Sequence, residues 1–226
     1  MAGLGWFMPR DIAYEYSSNK AGGIALSGVA PATSALKRGL DVSVAAMALM
    51  FLLPLLAFVA LAIWLESGGP VIFRQSRSGL NGAPFTILKF RTMYAVSASP
   101  VTHASRRDRR ITHVGRFLRR SSLDELPQLF NVLRGEMSLV GPRPHATEHD
   151  EYYAPRVPAY SERFATRPGL TGLAQVSGQR GEVADAEHMA QRIKCDLEYI
   201  RSWSIGSDLS ILLRTLVVAP FDPAAY

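Results

Sequence analysis

At 226 residues the chain is long enough to bury one well-formed core with an appendage and too short for two full domains. A net charge of +6 and a pI near 9.7 favour an anionic partner, whether nucleic acid, acidic lipid or a phosphorylated substrate. The single cysteine, Cys195, excludes an intramolecular disulfide framework and a cysteine-rich zinc site, which fits a protein facing the cytosol.

Residues 1–35 are rich in Gly, Ala and Ser, carry scattered charge and have no sustained periodicity, so a loose N-terminal arm is expected. They do not form a secretory signal, because the apolar stretch begins too late and runs too long. From Val42 to Leu65 the chain has 24 residues without a charge. At helical rise that is about 36 Å, enough to span a bilayer, and a buried soluble helix is the less favoured reading. Lys37 and Arg38 precede the run while Arg74, Arg77, Lys89 and Arg91 follow it, so both ends carry the charge of a cytoplasmic flank. Pro54 at its middle removes a backbone donor and kinks or breaks the helix into two arms of about one leaflet each. A re-entrant membrane helix over 36–66, entering and leaving on one face, accounts for both facts, and a kinked single span is the alternative.

The remainder, 67–226, reads as a cytoplasmic catalytic domain. Gly68-Gly69-Pro70 stops the helix, Val71 to Gln75 is a predicted strand, Gly79 to Gly82 a turn, and Phe85 to Thr92 the returning strand of a hairpin. Period-two alternation puts Lys89 and Arg91 on one face, where two cations either grip a diphosphate or form a solvated strand end near anionic headgroups. Seven arginines follow between Arg106 and Arg120. Such a run is most often a solvated face, here against acidic lipid, with one or two members reaching a site.

Ser121 to Phe130 is the centre of the chain. It has two readings: Ser122 as N-cap with Glu125 in a capping box, or Pro127 as the first helical residue with Asp124 and Glu125 in the turn before it. The second is preferred, because Pro127 otherwise deletes a first-turn hydrogen bond. Leu129, Phe130, Val132 and Leu133 then bury, with Gly135 as the stop. Glu125 by itself is more readily a cap than a catalytic group. Gly141-Pro142-Arg143-Pro144 sharpens the case, because Pro142 and Pro144 restrict the backbone around Arg143 so that it loses little entropy on gripping an anion, although a stiff turn looks the same. His145 and His149 stand at helical spacing without a third metal ligand implied. Leu170 to Gly178 reads as a short strand between glycine turns leading to Arg180. Met189, Ile193, Leu197 and Ile200 stripe a helix that also carries Asp196 and Tyr199, and Ser207 caps a last amphipathic helix suited to the membrane interface or to packing on the domain.

Taken together, Gly-Pro-Val-Ile-Phe-Arg-Gln, Lys89-Phe90-Arg91-Thr92-Met93, Asp124-Glu125-Leu126-Pro127-Gln128, Gly141-Pro142-Arg143-Pro144 and Pro168-Gly169-Leu170-Thr171-Gly172 resemble the bacterial sugar transferase family over about residues 35 to 220. The resemblance implies a monotopic, mainly helical α/β protein with a β-hairpin and short strands, a re-entrant helix and amphipathic interfacial helices. It implies transfer of a sugar-1-phosphate from a UDP-sugar to undecaprenyl phosphate at the cytoplasmic face of the bacterial inner membrane, with release of UMP. Asp124 is then the nucleophile and Glu125 its metal or orienting partner, with Mg²⁺ as cofactor held by both. Lys89, Arg91, Arg120, Arg143, Arg180 and Asp196 fall at substrate or phosphate positions, Glu136 at a matching position, and Pro54, Pro142 and Pro144 at structural ones. Many members have Ser before the central proline, where this chain has Leu53. The sugar is not legible beyond a lean to glucose or galactose, and a homodimer is left open. The competing reading is a membrane-anchored, arginine-rich protein holding nucleic acid or acidic lipid without catalysis, and it leaves the Asp-Glu pair and Arg143 unexplained.

Overall fold

The computed structural model describes residues 30–94, 108–181, 183 and 185–218. The N-terminal arm up to residue 29, Arg106 and Arg107 lie outside the described residues.

The long apolar run folds into helix α1, Ala35–Ser67. Its N-cap is Ser34, whose side chain accepts from the Lys37 amide, and Gly68 ends it with a φ of 59°. At 33 residues the helix is long and apolar enough to cross a membrane. Pro54 lies inside it and the helix continues across the proline, so the expected break is not an interruption of the helical run. The missing N–H removes one hydrogen bond, which the bonds on either side outlast. One stripe, from Lys37 and Asp41 through Ala45, Leu49, Leu56, Val59 and Ile63, is buried. The opposite face is exposed and apolar, with Met50, Phe51, Leu53, Phe58, Trp64 and Leu65.

Both ends of α1 are bonded to the rest of the chain. At the start, Lys37 Nζ donates to Asp208 at 2.7 Å and to the Val140 carbonyl at 3.1 Å. Asp41 accepts from Ser138 Oγ and the Leu139 amide. At the far end Glu66 accepts from the amides of His113 and Val114 at 2.6 and 2.9 Å. Uncompensated amides at a helix start attract an anion, so Glu66 caps the next helix from another element.

Strands β1 (Ile72–Ser78) and β2 (Pro84–Phe90) form the expected antiparallel hairpin, with Phe73 opposite Lys89. Helix α2, His113–Ser121, carries the last three arginines of the run, Arg116, Arg119 and Arg120, while Arg109 and Arg110 stand in the turn before it. Arg116, Phe117 and Arg120 are exposed on it while Leu118 is buried, an amphipathic surface helix. Ser122 then turns the chain in the left-handed region at φ 56°, a tight 3-10 turn covers Leu123–Glu125, and α3 runs Gln128–Arg134 to its left-handed stop at Gly135. The carboxylates lie in the turn before Pro127, as the preferred helix start has them, but Pro127 is the cap of α3 and Gln128 its first residue.

β3 (Ser138–Val140) pairs in parallel with β4 (Gly169–Thr171). Between them come α4, Thr147–Tyr153, and a 3-10 segment, Tyr160–Ala165. The Gly-Pro-Arg-Pro and Pro-Gly-Leu-Thr-Gly motifs are therefore one structure, and glycine permits it. A Cβ on Gly169 would stand 2.1 Å from the Gly141 nitrogen, and one on Gly172 2.2 Å from the Gly141 oxygen. The strand expected over Leu170 to Gly178 ends at Thr171, because the close approach at Gly172 turns the chain into a short helix, α5, Leu173–Val176. Helix α6, Ala186–Arg201, buries Met189, Ile193, Leu197 and Ile200 as predicted. Helix α7, Ile205–Val218, begins before Ser207, since Ser204 and Ser207 bond each other's amides at 3.0 Å. Its Leu209, Leu213, Leu216 and Val217 are exposed.

Candidate active site

Glu125 is the centre of the cluster. Its Oε1 accepts from Lys89 Nζ at 2.7 Å and from Arg143 Nη2 at 2.6 Å, and its Oε2 from Arg143 Nη1 at 3.2 Å. Three separate motifs, from β2, the turn before α3 and the loop after β3, thus meet on one carboxylate. The two-toothed Arg143 contact is the geometry that a guanidinium makes with a carboxylate or a phosphate. Burial pushes the Glu125 carboxyl up, but Arg143 and Lys89, by charge and by hydrogen bond, reverse this and hold it well below the usual carboxylate range.

Asp124 differs. Among the described residues no hydrogen bond or ion pair engages its carboxylate, which is partly exposed. Burial and the neighbouring Glu125 anion push it up to about 6, against the pull of Lys89, Arg119 and Arg143. Two adjacent carboxylates are thereby driven apart: one ionised and clamped, the other unclamped and titrating near neutrality. Such a split separates an orienting group from a reacting one.

Asn131 sets the spacing between β2 and α3. Fully buried in α3, it accepts from the Leu88 amide at 3.1 Å and donates to the Thr86 carbonyl at 2.7 Å and to Glu136 at 2.6 Å. It bonds the outer edge of β2 as a neighbouring strand would, and this holds Lys89 opposite Glu125. Glu136, which the resemblance had singled out, acts through this asparagine.

Several expected site residues lie elsewhere. Arg91 is buried and donates to Ser67 Oγ at 2.6 Å and to the Gly68 carbonyl, so it pins the hairpin to the end of α1 instead of joining Lys89. Carbonyls left open at a helix C-terminus draw a guanidinium there. Asp196 is 2% exposed and bonds Arg163, which excludes direct contact with a phosphate in this arrangement. Arg120 is exposed on α2, while its neighbour Arg119 bonds Thr92 at 2.9 Å and lowers the Asp124 pKa by its charge. Arg180 reaches Ser122 Oγ at 3.4 Å, beside the turn that carries Asp124. Pro142 and Pro144 frame Arg143 as expected, and the Pro142 carbonyl accepts from the Gly169 amide at 2.8 Å. His145 is buried against Tyr160 and Arg163, with Nδ1 2.8 Å from the Tyr160 hydroxyl. Among the described residues no group of three or more His, Cys, Asp or Glu is gathered that could hold a metal ion by protein side chains alone.

Three further arginines stand at the site without being site candidates in the sequence, where Arg77 reads only as a flank of the apolar run. Arg77 donates to the Pro144 carbonyl at 3.2 Å, Arg163 to the Arg143 carbonyl at 2.5 Å, and Arg192 to the Gly181 carbonyl at 3.2 Å. Burial, then the charge of Arg143, bring Arg77 and Arg192 each down to about 10. The only signal for them in the sequence is their number, since arginines far apart in the chain carry no shared pattern.

A family model described as bacterial sugar transferase matches residues 32–221. The chain is 59% identical over 181 residues to UDP-glucose:undecaprenyl-phosphate glucose-1-phosphate transferase of Caulobacter vibrioides, covering 80% of this chain and 68% of that protein. To the Escherichia coli protein of the same name it is 48% identical over 84% of this chain, but spans 41% of the longer relative. The exopolysaccharide production protein PSS of Rhizobium leguminosarum bv. phaseoli is 45% identical, over 80% of this chain and 94% of that protein. With the family model matching nearly all of its described length and a relative 59% identical over 80% of it, the chain belongs to the bacterial sugar transferase family.

Proposed function

We propose that the protein transfers a sugar-1-phosphate from a UDP-sugar to undecaprenyl phosphate at the cytoplasmic face of the bacterial inner membrane. The observation that carries this is the Asp124-Glu125 pair, with one carboxylate clamped by Lys89 and Arg143 and the other left unclamped beside them. An Asp124 oxygen attacks the phosphorus that bears the sugar, the bond to the bridging oxygen breaks, and UMP leaves with that oxygen. Attack of an anion on an anion needs its repulsion cancelled, and Lys89, Arg143, Arg119 and Arg180 outnumber the two carboxylates around the turn. A phosphate oxygen of undecaprenyl phosphate then attacks the covalent phosphosugar and frees the Asp124 carboxylate.

Mg²⁺ fits Asp124, because this ion binds through one or two carboxylates plus substrate phosphates, and when bound it neutralises charge on the diphosphate. It fits Glu125 less well, since both oxygens of that carboxylate already face cations. Glu125 instead aligns Lys89 and Arg143.

A re-entrant path for α1 is favoured by its ties. Lys37 and Asp41 at one end and Glu66 and Ser67 at the other all bond the same domain. A helix that crossed a bilayer would separate those ends by about 30 Å of hydrocarbon. The exposed apolar faces of α1 and α7, with Phe117 of α2, then enter the membrane. Cysteines placed at Ser34 and Ser67 are expected to label from the same side, and labelling from opposite sides contradicts the re-entrant path.

The names of the relatives make UDP-glucose the first donor to test. Incubation with a UDP-sugar panel, undecaprenyl phosphate and Mg²⁺ is expected to release UMP, and Asp124→Asn to release none. Full activity of Asp124→Asn removes Asp124 as the nucleophile.

A further inference from the structure

The Gly141-Pro142-Arg143-Pro144 segment is poor in donors, because two of its residues have no N–H, and it is held chiefly by its carbonyls. Gly169 bonds the Pro142 carbonyl, Arg77 the Pro144 carbonyl and Arg163 the Arg143 carbonyl. Arg163 is 3% exposed and every face of its guanidinium is engaged. Nε and Nη2 donate to Asp196 at 3.1 and 2.9 Å, Nη1 lies 3.0 Å from His145 Nδ1, and Nη2 also reaches Arg143 at 2.5 Å. The rings of Tyr160 and Phe164 flank it at 5.4 and 5.9 Å.

We propose that Arg163, oriented by Asp196, is a positioning residue for phosphosugar transfer: it sets the backbone from which Arg143 reaches Glu125. The order of contact is Asp196, Arg163, the Arg143 carbonyl, then the Arg143 fork on Glu125. Burying two charges is expensive, and an apolar pair of the same volume would be as stable or more so. Such a pair would leave the Arg143 carbonyl without a donor. Lysine does not replace Arg163, because a single ammonium cannot span Asp196, His145 and the carbonyl at the planar angles that a guanidinium provides. A shift of about 1 Å at the Arg143 backbone is enough to misplace its fork, and misplacement on that scale costs about 10²-fold in rate.

The inference rests on the transferase reading, so the experiment separates the two. UMP release by the full chain in lipid nanodiscs is measured with UDP-glucose and undecaprenyl phosphate for wild type, Arg163→Lys, Arg143→Gln and the double variant. Arg163→Lys is expected to lower kcat about 10- to 100-fold with KM for UDP-glucose within about threefold, and the double variant to be within about twofold of Arg143→Gln alone. If Arg163→Lys does not fold, as judged by thermal unfolding, the same cycle is run with Asp196→Asn, which leaves the arginine in place. A kcat loss of about three- to tenfold, again absent on the Arg143→Gln background, is then expected. Effects that multiply in the double variant, or a wild-type kcat in the single one, overturn the positioning role while leaving the transferase reading intact. An inactive wild-type protein across the UDP-sugar panel overturns both.

Discussion

Replacing Asp124 with asparagine is expected to abolish transfer and, at the same time, to stabilise the fold. Burial and the Glu125 anion raise this carboxyl from 3.8 to about 6. Ionising it in the folded state therefore costs up to about 3 kcal/mol, which solvent at its exposed edge reduces to about 1–2. The sign follows from linkage. A carboxyl with a raised folded pKa binds more protons folded than unfolded between pH about 4 and 6, so wild-type stability falls across that window and stays lower above it. Asparagine resembles the protonated acid and carries no such penalty. In thermal unfolding of nanodisc-held protein with chelator present, Asp124→Asn and wild type are expected to melt together at pH 4. At pH 7.5 the variant is expected to melt about 3–6 °C higher. Added Mg²⁺ should narrow the gap by stabilising only the wild type. A variant less stable at pH 7.5, or a difference constant from pH 4 to 7.5, refutes the electrostatic reasoning behind the assignment of Asp124.

The same titration predicts that kcat/KM falls as Asp124 is protonated, with the break below about 6 because bound Mg²⁺ favours the carboxylate, read from UMP release between pH 4 and 8. Glu125→Gln removes the anion between Lys89 and Arg143 and should cost about 3 kcal/mol or more of stability, measured by denaturant unfolding, because it leaves two part-buried cations facing each other. Gly169→Ala should prevent folding or cost several kcal/mol, since its Cβ would meet the Gly141 nitrogen at 2.1 Å, whereas Gly39→Ala in α1, with nothing within 4 Å, should be neutral or gain up to about 1 kcal/mol. Asn131→Leu strands the Leu88 amide and the Thr86 carbonyl, and a loss of about 2–4 kcal/mol is expected on chemical denaturation.

Local chemistry carried much of this fold in legible form. An uncharged run of 24 residues has to leave water, and it became α1. Alternating residues around Gly79 to Gly82 became the β1–β2 hairpin, and Gly135 stopped α3 in the left-handed conformation that favours glycine. Asp124, Glu125, Lys89 and Arg143 were legible as candidates because each stands in a short segment whose proline or strand period restricts where it points. Errors arose where a contact distant in sequence decided the outcome. Arg91 has the strand phase of Lys89, yet the carbonyls closing α1 hold it. The strand through Leu170 to Gly178 ended where Gly172 meets Gly141.

The sequence by itself determined which residue types are present to meet a phosphoanion and which stretch must leave water, because charge, apolar length and proline geometry act within a few residues. Tertiary structure alone decided which of two adjacent carboxylates is clamped and which stays open to react. That depends on Lys89 and Arg143, 36 and 18 residues from Glu125, and on Asn131 and Arg163, whose buried bonds hold the segments that carry them. Coulomb and hydrogen-bond energies fall off with distance in space, and only folding brings these groups within reach of one another.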